Sequence, residues 1–283
     1  MLEIDKFLAA TSEDLEGLSW YEIISRLGLL SFNSQGNRPM ELIGKLAQAT
    51  DLSRVLVVGC GSGGTTVHLA ETTGAAVCGI DIAVESIRTA GELASKSSAS
   101  VKLHWLVGDA HALPLTRGGF DLVITEFMAF LLRRSAFEGF FQALKPGGLL
   151  ALAELVKDEN VSSEADAKIR AAEQTYSDVL GYEFHIPLVT QYLEWLAGAG
   201  FEQVRVVERF SEPSLREKIR NVGGWRNVFR ITRVLLRLMW KSPTLRRMFL
   251  HVGSVKRVLY QNRATARYVF QAVLAGRKPS EVL

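Results

Sequence analysis

The chain has 283 residues, of which 48% are hydrophobic and 9% aromatic, with a formal net charge of +3. This composition is sufficient for a substantial core in one enlarged α/β domain. Because it has no run of 18 uninterrupted apolar residues and its first residues lack the pattern of a signal peptide, the sequence excludes a membrane-spanning helix and predicts a cytoplasmic protein.

Residues 1–50 are predicted to form an N-terminal helical lid that closes over an active site. Trp20 and Phe32 supply apolar material for such a lid, and Gly28 and Gly36 supply breaks between its helices. The remaining residues, 51–283, are assigned to the main domain.

In that domain strand-like and helix-like segments alternate along the chain. This order predicts an α/β fold with a doubly wound, Rossmann-like, seven-stranded and mostly parallel sheet. The predicted strands cover residues 55–58, 76–80, 101–107, 120–125, 148–154, 203–209 and 267–275. The predicted helices cover residues 65–72, 83–95, 134–144 and 188–199.

The most informative segment is residues 55–64, with the sequence VLVVGCGSGG. A β-branched strand here enters a turn, the glycine loop (residues 59–63), which precedes a helix. Such a turn lets a ligand approach the backbone at a helix N-terminus. Asp81 ends the next strand, where a carboxylate can bind both hydroxyls of a ribose. These features predict a nucleoside-containing cofactor. Since Gly59, Gly61 and Gly64 also fit a G-x-G-x-x-G dinucleotide pattern, the loop alone does not identify the cofactor.

Three downstream motifs distinguish between the possible cofactors. Residues 108–114 read GDAHALP after a strand, residues 119–125 read GFDLVIT, and residues 144–148 read LKPGG before another strand. Together with the glycine loop, this ordered series resembles the class I S-adenosylmethionine-dependent methyltransferases, and within them the ubiquinone/menaquinone-biosynthesis and sterol branch. The chain lacks the aromatic-Gly-His pattern of sterol enzymes, and it lacks the Asp/Asn-Pro-Pro-aromatic motif of many adenine and glutamine methyltransferases.

The resemblance implies S-adenosylmethionine as cofactor and a role for each matching position. The three loop glycines would pass beneath the methionine moiety, Asp81 would bind the ribose, and Asp109 would accept from the adenine amino group, with Leu113 as an apolar wall. The full cofactor-binding set that the resemblance implies is Gly59, Cys60, Gly61, Gly63, Asp81, Ile82, Asp109, Ala110 and Glu126. The alternative for Asp81 and Asp109 is that they cap helices.

Two residues are candidates for catalysis at the methyl acceptor. Glu126 follows the fourth strand, where it could orient a nucleophile or remove a proton; its alternative is a supporting hydrogen bond or a helix cap. His185 lies in the loop before the penultimate helix, a place where related enzymes carry substrate-covering loops, although a lone histidine is more often structural. Cys60 and Cys78 are interpreted as buried, reduced thiols, and no metal site is expected.

Residues 211–264 form a basic insertion before the last strand. This segment carries 13 Lys and Arg against two Glu, whereas the rest of the chain carries 20 basic and 28 acidic residues. One basic stripe recurs at helical spacing, consisting of Arg226, Arg230, Arg233, Arg237 and Lys241. Pro243 is predicted to begin a further short helix. A basic amphipathic helix suits an anionic membrane interface, but it could equally cover the core with its arginines in water.

Three classes of function remain. The first is methyl transfer to a small, lipophilic acceptor, with peripheral binding at the inner face of the membrane. The second is an RNA methyltransferase that binds phosphates with the insertion, and nucleic acid is the less favoured partner because no RNA-binding motif is recognised. The third is a non-catalytic cofactor-binding scaffold, against which the intact glycine loop and both acids argue.

Overall fold

The structure is a computed structural model that describes Trp20, Ile23 and residues 34–280. These residues form two compact units. The sheet unit contains residues 37–159, 187–211 and 270–280. The helical unit contains Trp20, Ile23 and residues 34–36, 160–186 and 212–269. Most of the predicted lid lies outside the described residues, and the part that is described includes one helix, α1 (Arg38–Leu46).

The sheet unit is built on seven strands. They are β1 (Arg54–Val58), β2 (Ala76–Asp81), β3 (Leu103–Val107), β4 (Phe120–Glu126), β5 (Leu144–Lys157), β6 (Glu202–Phe210) and β7 (Val269–Arg277). Their order in the sheet is β3-β2-β1-β4-β5-β7-β6. Four neighbouring pairs are parallel: β3 with β2, β2 with β1, β1 with β4, and β4 with β5. Strand β7 runs antiparallel to β6.

Helices alternate with the strands of this unit. Besides α1 they are α2 (Gly64–Thr73), α3 (Val84–Ala94), α4 (Arg134–Ala143) and α6 (Val189–Gly198). Along β1, Leu56 and Val58 belong to one core cluster whereas Val55 and Val57 belong to another. This alternation of apolar residues on both sides is what a parallel sheet needs when helices cover both of its faces.

The helical unit contains α5 (Ser163–Leu180), α7 (Leu215–Asn221), α8 (Trp225–Lys241) and α9 (Pro243–Tyr260). Helix α9 packs against both α5 and α8. The buried residues of these three helices include Ile169, Ala172, Val234, Leu238, Leu245, Val252, Val255 and Leu259. Helices α5 and α9 begin at side-chain caps, since the Ser162 hydroxyl accepts from the Ala165 amide and the Ser242 hydroxyl accepts from the Leu245 amide.

The predicted fold class, all seven predicted strands and the four predicted helices of the main domain are confirmed, with ends that differ by a few residues. The insertion does lie between β6 and β7. Two features differ from the sequence prediction. Helix α5 was not predicted, and the helix that begins at Pro243 is 18 residues long where a short one was expected. Its length follows from buried leucines and valines that continue at helical spacing to Leu259. No helix in the described part of the chain is long and apolar enough to cross a membrane.

Candidate cofactor and active site

The glycine loop connects β1 to α2 at the carboxyl edge of the sheet. The amides of Gly59 and Cys60 donate to the carbonyl oxygen of Ile80, at 2.8 and 3.0 Å. The Gly61 amide donates to the Asp81 carboxylate at 2.9 Å. The loop is therefore fixed to the end of β2, directly beside the predicted ribose-binding acid.

Three glycines of this loop adopt backbone angles that other residues avoid. The φ angles are 68° at Gly59, 52° at Gly61 and 82° at Gly63. A Cβ at Gly63 would lie 2.6 Å from the Trp105 ring, whereas a Cβ at Gly61 would meet no atom of the described residues within 4 Å. Gly61 therefore leaves open space against the backbone at the N-terminus of α2.

Asp81 holds the loop and retains acceptor capacity. Its Oδ2 accepts from the Gly61 amide and its Oδ1 accepts from the Ala83 amide, both at 2.9 Å. A carboxylate offers about four lone-pair sites, so each oxygen can still accept one further donor. The predicted binding of two ribose hydroxyls is compatible with this arrangement, and it stays a prediction.

Asp109 is oriented by its neighbour His111. Its Oδ1 accepts from the His111 amide at 2.9 Å and lies 3.0 Å from the His111 Nδ1. Because His111 Nε2 accepts from the Arg133 amide at 3.1 Å, neutral His111 is assigned its proton on Nδ1, which donates to Asp109. The backbone and side-chain bonds from His111 lower the pKa of Asp109 below its usual value. Asp109 is thus an exposed, ionised acceptor, as contact with an adenine amino group requires.

The other predicted cofactor residues lie around these acids. Ala110 is buried and Leu113 packs against the same core cluster. Ile82, directly after Asp81, is 72% exposed and offers apolar surface there. Cys60 is a free, buried thiol whose pKa is raised by burial and by the nearby Asp81 and Cys78. A raised pKa keeps the thiol protonated and unreactive.

Glu126 is the last residue of β4 and is partly buried. It pairs with Ala153 of β5, and the backbone turns immediately afterwards because Phe127 has a φ of 51°. This turn leaves Glu126 at the carboxyl edge of the sheet, the edge at which the glycine loop also lies. The location fits the predicted acceptor-side role, which stays a prediction.

Sequence reasoning missed Glu154 of β5. Its carboxylate is completely buried and accepts from the Thr125 hydroxyl at 3.0 Å, the Met128 amide at 3.1 Å and the Ala129 amide at 3.0 Å. Burial raises the pKa of Glu154 to about 7, although these hydrogen bonds oppose the shift. A single acid inside the apolar run of residues 149–156 was the available signal, because a buried carboxyl needs partners.

His185 is not in the same unit as the other predicted site residues. It is exposed in the helical unit, between the buried side chains of Phe184 and Ile186. The structure brings the glycine loop, Asp81, Asp109 and Glu126 together in the sheet unit. A catalytic role for His185 stays a prediction.

The residues at this edge fit a nucleoside cofactor. Strand β1 is flanked by β2 on one side and β4 on the other, so the order of the strands reverses there, and such reversal points are where open α/β sheets bind ligands. The open space at Gly61, the acceptor capacity of Asp81 and the ionised Asp109 supply backbone approach, ribose contacts and an adenine acceptor. Bound S-adenosylmethionine would be held by these groups.

Comparison with known proteins agrees with this geometry. Residues 55–148 match a family model described as a methyltransferase domain. Erythromycin 3''-O-methyltransferase of Saccharopolyspora erythraea is 31% identical over 175 residues, which cover 59% of this chain and 57% of that protein. The chain thus spans little more than half of that relative's length.

Two solved structures share the fold at low identity. The cyclase SpnF has a TM-score of 0.69 and 20% identity, covering 95% of this chain and 97% of its own. A Haemonchus contortus phosphoethanolamine N-methyltransferase 2, solved with S-adenosylhomocysteine, has a TM-score of 0.63 and 18% identity, covering 86% of this chain and 53% of its own. Residues 55–148 are therefore a methyltransferase domain, and the shared fold and the site geometry agree with a class I enzyme that uses S-adenosylmethionine.

Proposed function

We propose that this protein transfers a methyl group to a small, lipophilic acceptor and does so at an anionic membrane surface. The observation that carries the membrane part is a band of exposed apolar side chains on α8, directly beside its arginines. The erythromycin-methylating relative supports a small acceptor, since its name describes methylation of an oxygen on a small molecule. A lid formed by residues 1–50 is retained as part of the proposal.

The proposed reaction requires the chain to bind the cofactor and to orient the acceptor. When bound, S-adenosylmethionine supplies an electrophilic methyl group on its sulfonium sulfur. The glycine loop, Asp81 and Asp109 hold the cofactor, and Glu126 orients the acceptor nucleophile or takes its proton. Catalysis then comes mainly from alignment and from exclusion of water.

Helix α8 has one face that packs and one that does not. Val234 is 3% exposed and Leu238 is fully buried, so their face packs within the helical unit. On another face, Trp225, Phe229, Leu236 and Trp240 are 57%, 67%, 62% and 84% exposed. At about 100° per residue, these four side chains, here called the apolar stripe, lie within about 60° of the helix circumference.

The arginines of the predicted basic stripe lie next to the apolar stripe. Arg226, Arg230, Arg233 and Arg237 are all exposed and occupy the adjoining arc of the helix. Aromatic and aliphatic side chains beside a row of cations are typical of helices that lie in a membrane interface. Each cation near an anionic surface contributes on the order of 1 kcal/mol, and the apolar stripe adds burial in the headgroup region. A stripe used only for phosphate binding would not need an exposed leucine.

The acceptor class is tested with methyl-labelled S-adenosylmethionine. The protein is incubated with separated lipid, RNA and polar-metabolite fractions of a cell extract, and transfer of label is measured in each. We expect label in the lipid fraction. Label in RNA would replace this proposal with the phosphate-binding alternative, and no transfer to any fraction would favour a non-catalytic scaffold.

The membrane part is tested separately by vesicle sedimentation. The charge-reversal variant Arg230→Glu, Arg233→Glu, Arg237→Glu should lose most binding to vesicles with anionic lipid. Its matched control is a second triple variant with the same change in net charge, made at exposed positions of the sheet unit: Lys45→Glu, Lys96→Glu and Arg117→Glu. Equal loss in both variants would mean that only net charge matters and would contradict a specific role for α8.

Glu126 is tested through turnover with the acceptor that takes up label. Glu126→Gln should lower kcat while leaving cofactor affinity nearly unchanged, because the amide keeps the size but not the basicity of the carboxylate. Unchanged turnover would reduce Glu126 to a structural residue.

A further inference from the structure

We propose that Glu154 is a positioning residue, which holds the turn after β4 and, through Met128, keeps the glycine loop in the shape that accepts the cofactor. Glu154 lies on β5 and does not belong to the glycine loop or to β4. Its three hydrogen-bond partners nevertheless lie at the end of β4 and directly after it, since Thr125 belongs to β4 and Met128 and Ala129 follow the strand. The proposal rests on the cofactor assignment made above.

The partners of Glu154 bracket the most unusual residue of that turn. Thr125 precedes Phe127 in the chain, while Met128 and Ala129 follow it. Phe127 has a φ of 51°, a left-handed conformation that non-glycine residues adopt rarely and only when their surroundings enforce it. The Phe127 amide also donates to the Ala153 carbonyl at 3.1 Å. The carboxylate therefore binds the side chain of a residue that precedes the strained Phe127 and the backbone amides of the two residues that follow it.

Met128 transmits this restraint to the glycine loop. Its side-chain atoms lie 2.6 to 3.1 Å from the place where a Cβ on Gly59 would be, so the methionine rests directly on the glycine. Met128 receives its backbone position from both oxygens of Glu154, at 3.2 and 3.1 Å. A change at Glu154 should therefore alter the contact on which the first turn of the loop depends.

The hydrogen bonds require acceptors on Glu154, which its ionised form supplies best. Oε1 accepts from the Thr125 hydroxyl and the Ala129 amide, and the Met128 amide is shared between the two oxygens. A proton on one oxygen would place a donor opposite an amide donor. The titratable groups that face Glu154 electrostatically are Glu126 in β4 and Tyr192 in α6. Burial raises the pKa of Glu154 to about 7, so both protonation states are populated near neutrality.

The experiment measures binding of S-adenosylhomocysteine by calorimetry between pH 6 and 8.5. For the wild type, affinity should rise about three- to tenfold with pH, the difference between a neutral and a charge-assisted hydrogen bond. Glu154→Gln should bind weakly throughout this range and lose that part of the pH dependence. Titration of the other groups remains in the variant and cancels from the comparison.

Hydrogen exchange supplies a second measurement that needs no turnover. Amides in residues 125–131 should exchange several times faster in Glu154→Gln than in the wild type. Asp121→Asn is the matched control: Asp121 is another hydrogen-bonded carboxylate, although only partly buried, and it lies at the opposite end of β4, where it accepts from the Arg54 amide and Lys145. This control should leave both affinity and exchange in that segment unchanged.

The possible outcomes distinguish failure of the cofactor assignment from failure of the role proposed for Glu154. If the wild type does not bind S-adenosylhomocysteine, the cofactor assignment fails. If it binds but Glu154→Gln matches it in affinity and pH profile, Glu154 is only structural and this proposal is wrong. Should Glu154→Gln fail to fold, the wild-type pH profile still decides, because a flat profile near pH 7 contradicts the proposal.

Discussion

Gly61 and Gly63 are two residues apart and share a left-handed backbone, yet their surroundings are opposite. At Gly63 the aromatic ring of Trp105 and the Cβ of Ala90 occupy the space of a side chain. At Gly61 that space is open. The glycine at position 63 is required for packing of the sheet unit, whereas we propose that the one at position 61 keeps room for the cofactor.

Alanine at each position should therefore have a different effect. Gly63→Ala is expected to lower the free energy of unfolding by about 2–4 kcal/mol, from the left-handed backbone and from overpacking. Gly61→Ala should lower it by only about 1–2 kcal/mol, but should weaken S-adenosylhomocysteine binding at least tenfold. Urea denaturation and calorimetry on both variants provide the check. Intact cofactor affinity in Gly61→Ala would show that the open space is not the cofactor site.

Asp81 is the charged residue on which the nucleoside assignment depends most directly. Asp81→Ala is expected to weaken S-adenosylmethionine binding by about 1–3 kcal/mol, because a charge-assisted acceptor is removed together with the bonds that orient the loop. Glu85→Ala, a change at an exposed acid of the helix that follows, is the control and should bind normally. NAD should not bind to the wild type. Tight NAD binding without any response to S-adenosylmethionine would overturn the cofactor assignment.

At the scale of elements, β5 places a carboxyl inside the core, and this makes stability depend on pH. The folded pKa of Glu154, about 7, exceeds the reference value of 4.5. The folded state therefore binds one more proton than the unfolded state between these values, and stability must fall as pH rises through that window.

For the wild type we expect the free energy of unfolding to fall by on the order of 1–3 kcal/mol between pH 5.5 and 8. Glu154→Gln should remove this loss, whereas Asp121→Asn should retain it, because the pKa of Asp121 is lowered and its titration lies below that range. Urea titrations at the two pH values measure the difference. A wild type whose stability is flat over this interval would contradict burial of a titrating carboxyl.

Helix α8 combines a packing face with an unpacked apolar face, and two of its residues separate the roles. Val234→Ala should lower the free energy of unfolding of the helical unit by about 1–3 kcal/mol because the side chain is buried. Leu236→Ala, at an exposed position, should change it by less than about 0.5 kcal/mol but should weaken vesicle binding. Urea denaturation and vesicle sedimentation of both variants measure stability and membrane binding, respectively. Strong destabilisation by Leu236→Ala would mean that its face is a packing surface after all.

On the scale of the whole molecule, the modest net charge of +3 conceals a strong polarity. Residues 211–264 carry 13 basic and two acidic residues, and the rest of the chain carries 20 basic and 28 acidic residues. One part of the chain should therefore be attracted to an anionic surface while the other is repelled, which would orient the enzyme as it binds.

Salt should release much of the protein from anionic vesicles. The Debye length shrinks from about 10 Å at 0.1 M salt to about 3 Å at 1 M, so the electrostatic attraction is screened while the contribution of the apolar stripe remains. We expect the bound fraction to fall over this range and a smaller residual fraction to persist. Binding that is equal for anionic and neutral vesicles at low salt would contradict an electrostatic contribution.

The sequence by itself determined the sheet, the glycine loop and the acids Asp81 and Asp109. These features depend on local patterns, since short apolar runs, glycines and strand-end acids act through neighbours in the chain. The sequence also located Glu126 at the edge of the sheet, because residues that follow a parallel strand must lie there.

Only the tertiary structure decided the rest, because side-chain environment depends on residues far apart in the chain. Glu154 acquires its role from a turn that lies 25 to 29 residues earlier, and its titration near neutrality from complete burial. From the sequence, any of the apolar residues of α8 could have faced a core. In the structure Val234 and Leu238 are buried, whereas Trp240 is exposed. Helix α5 pairs with α9 across some 80 residues of chain, a contact that no local pattern encodes.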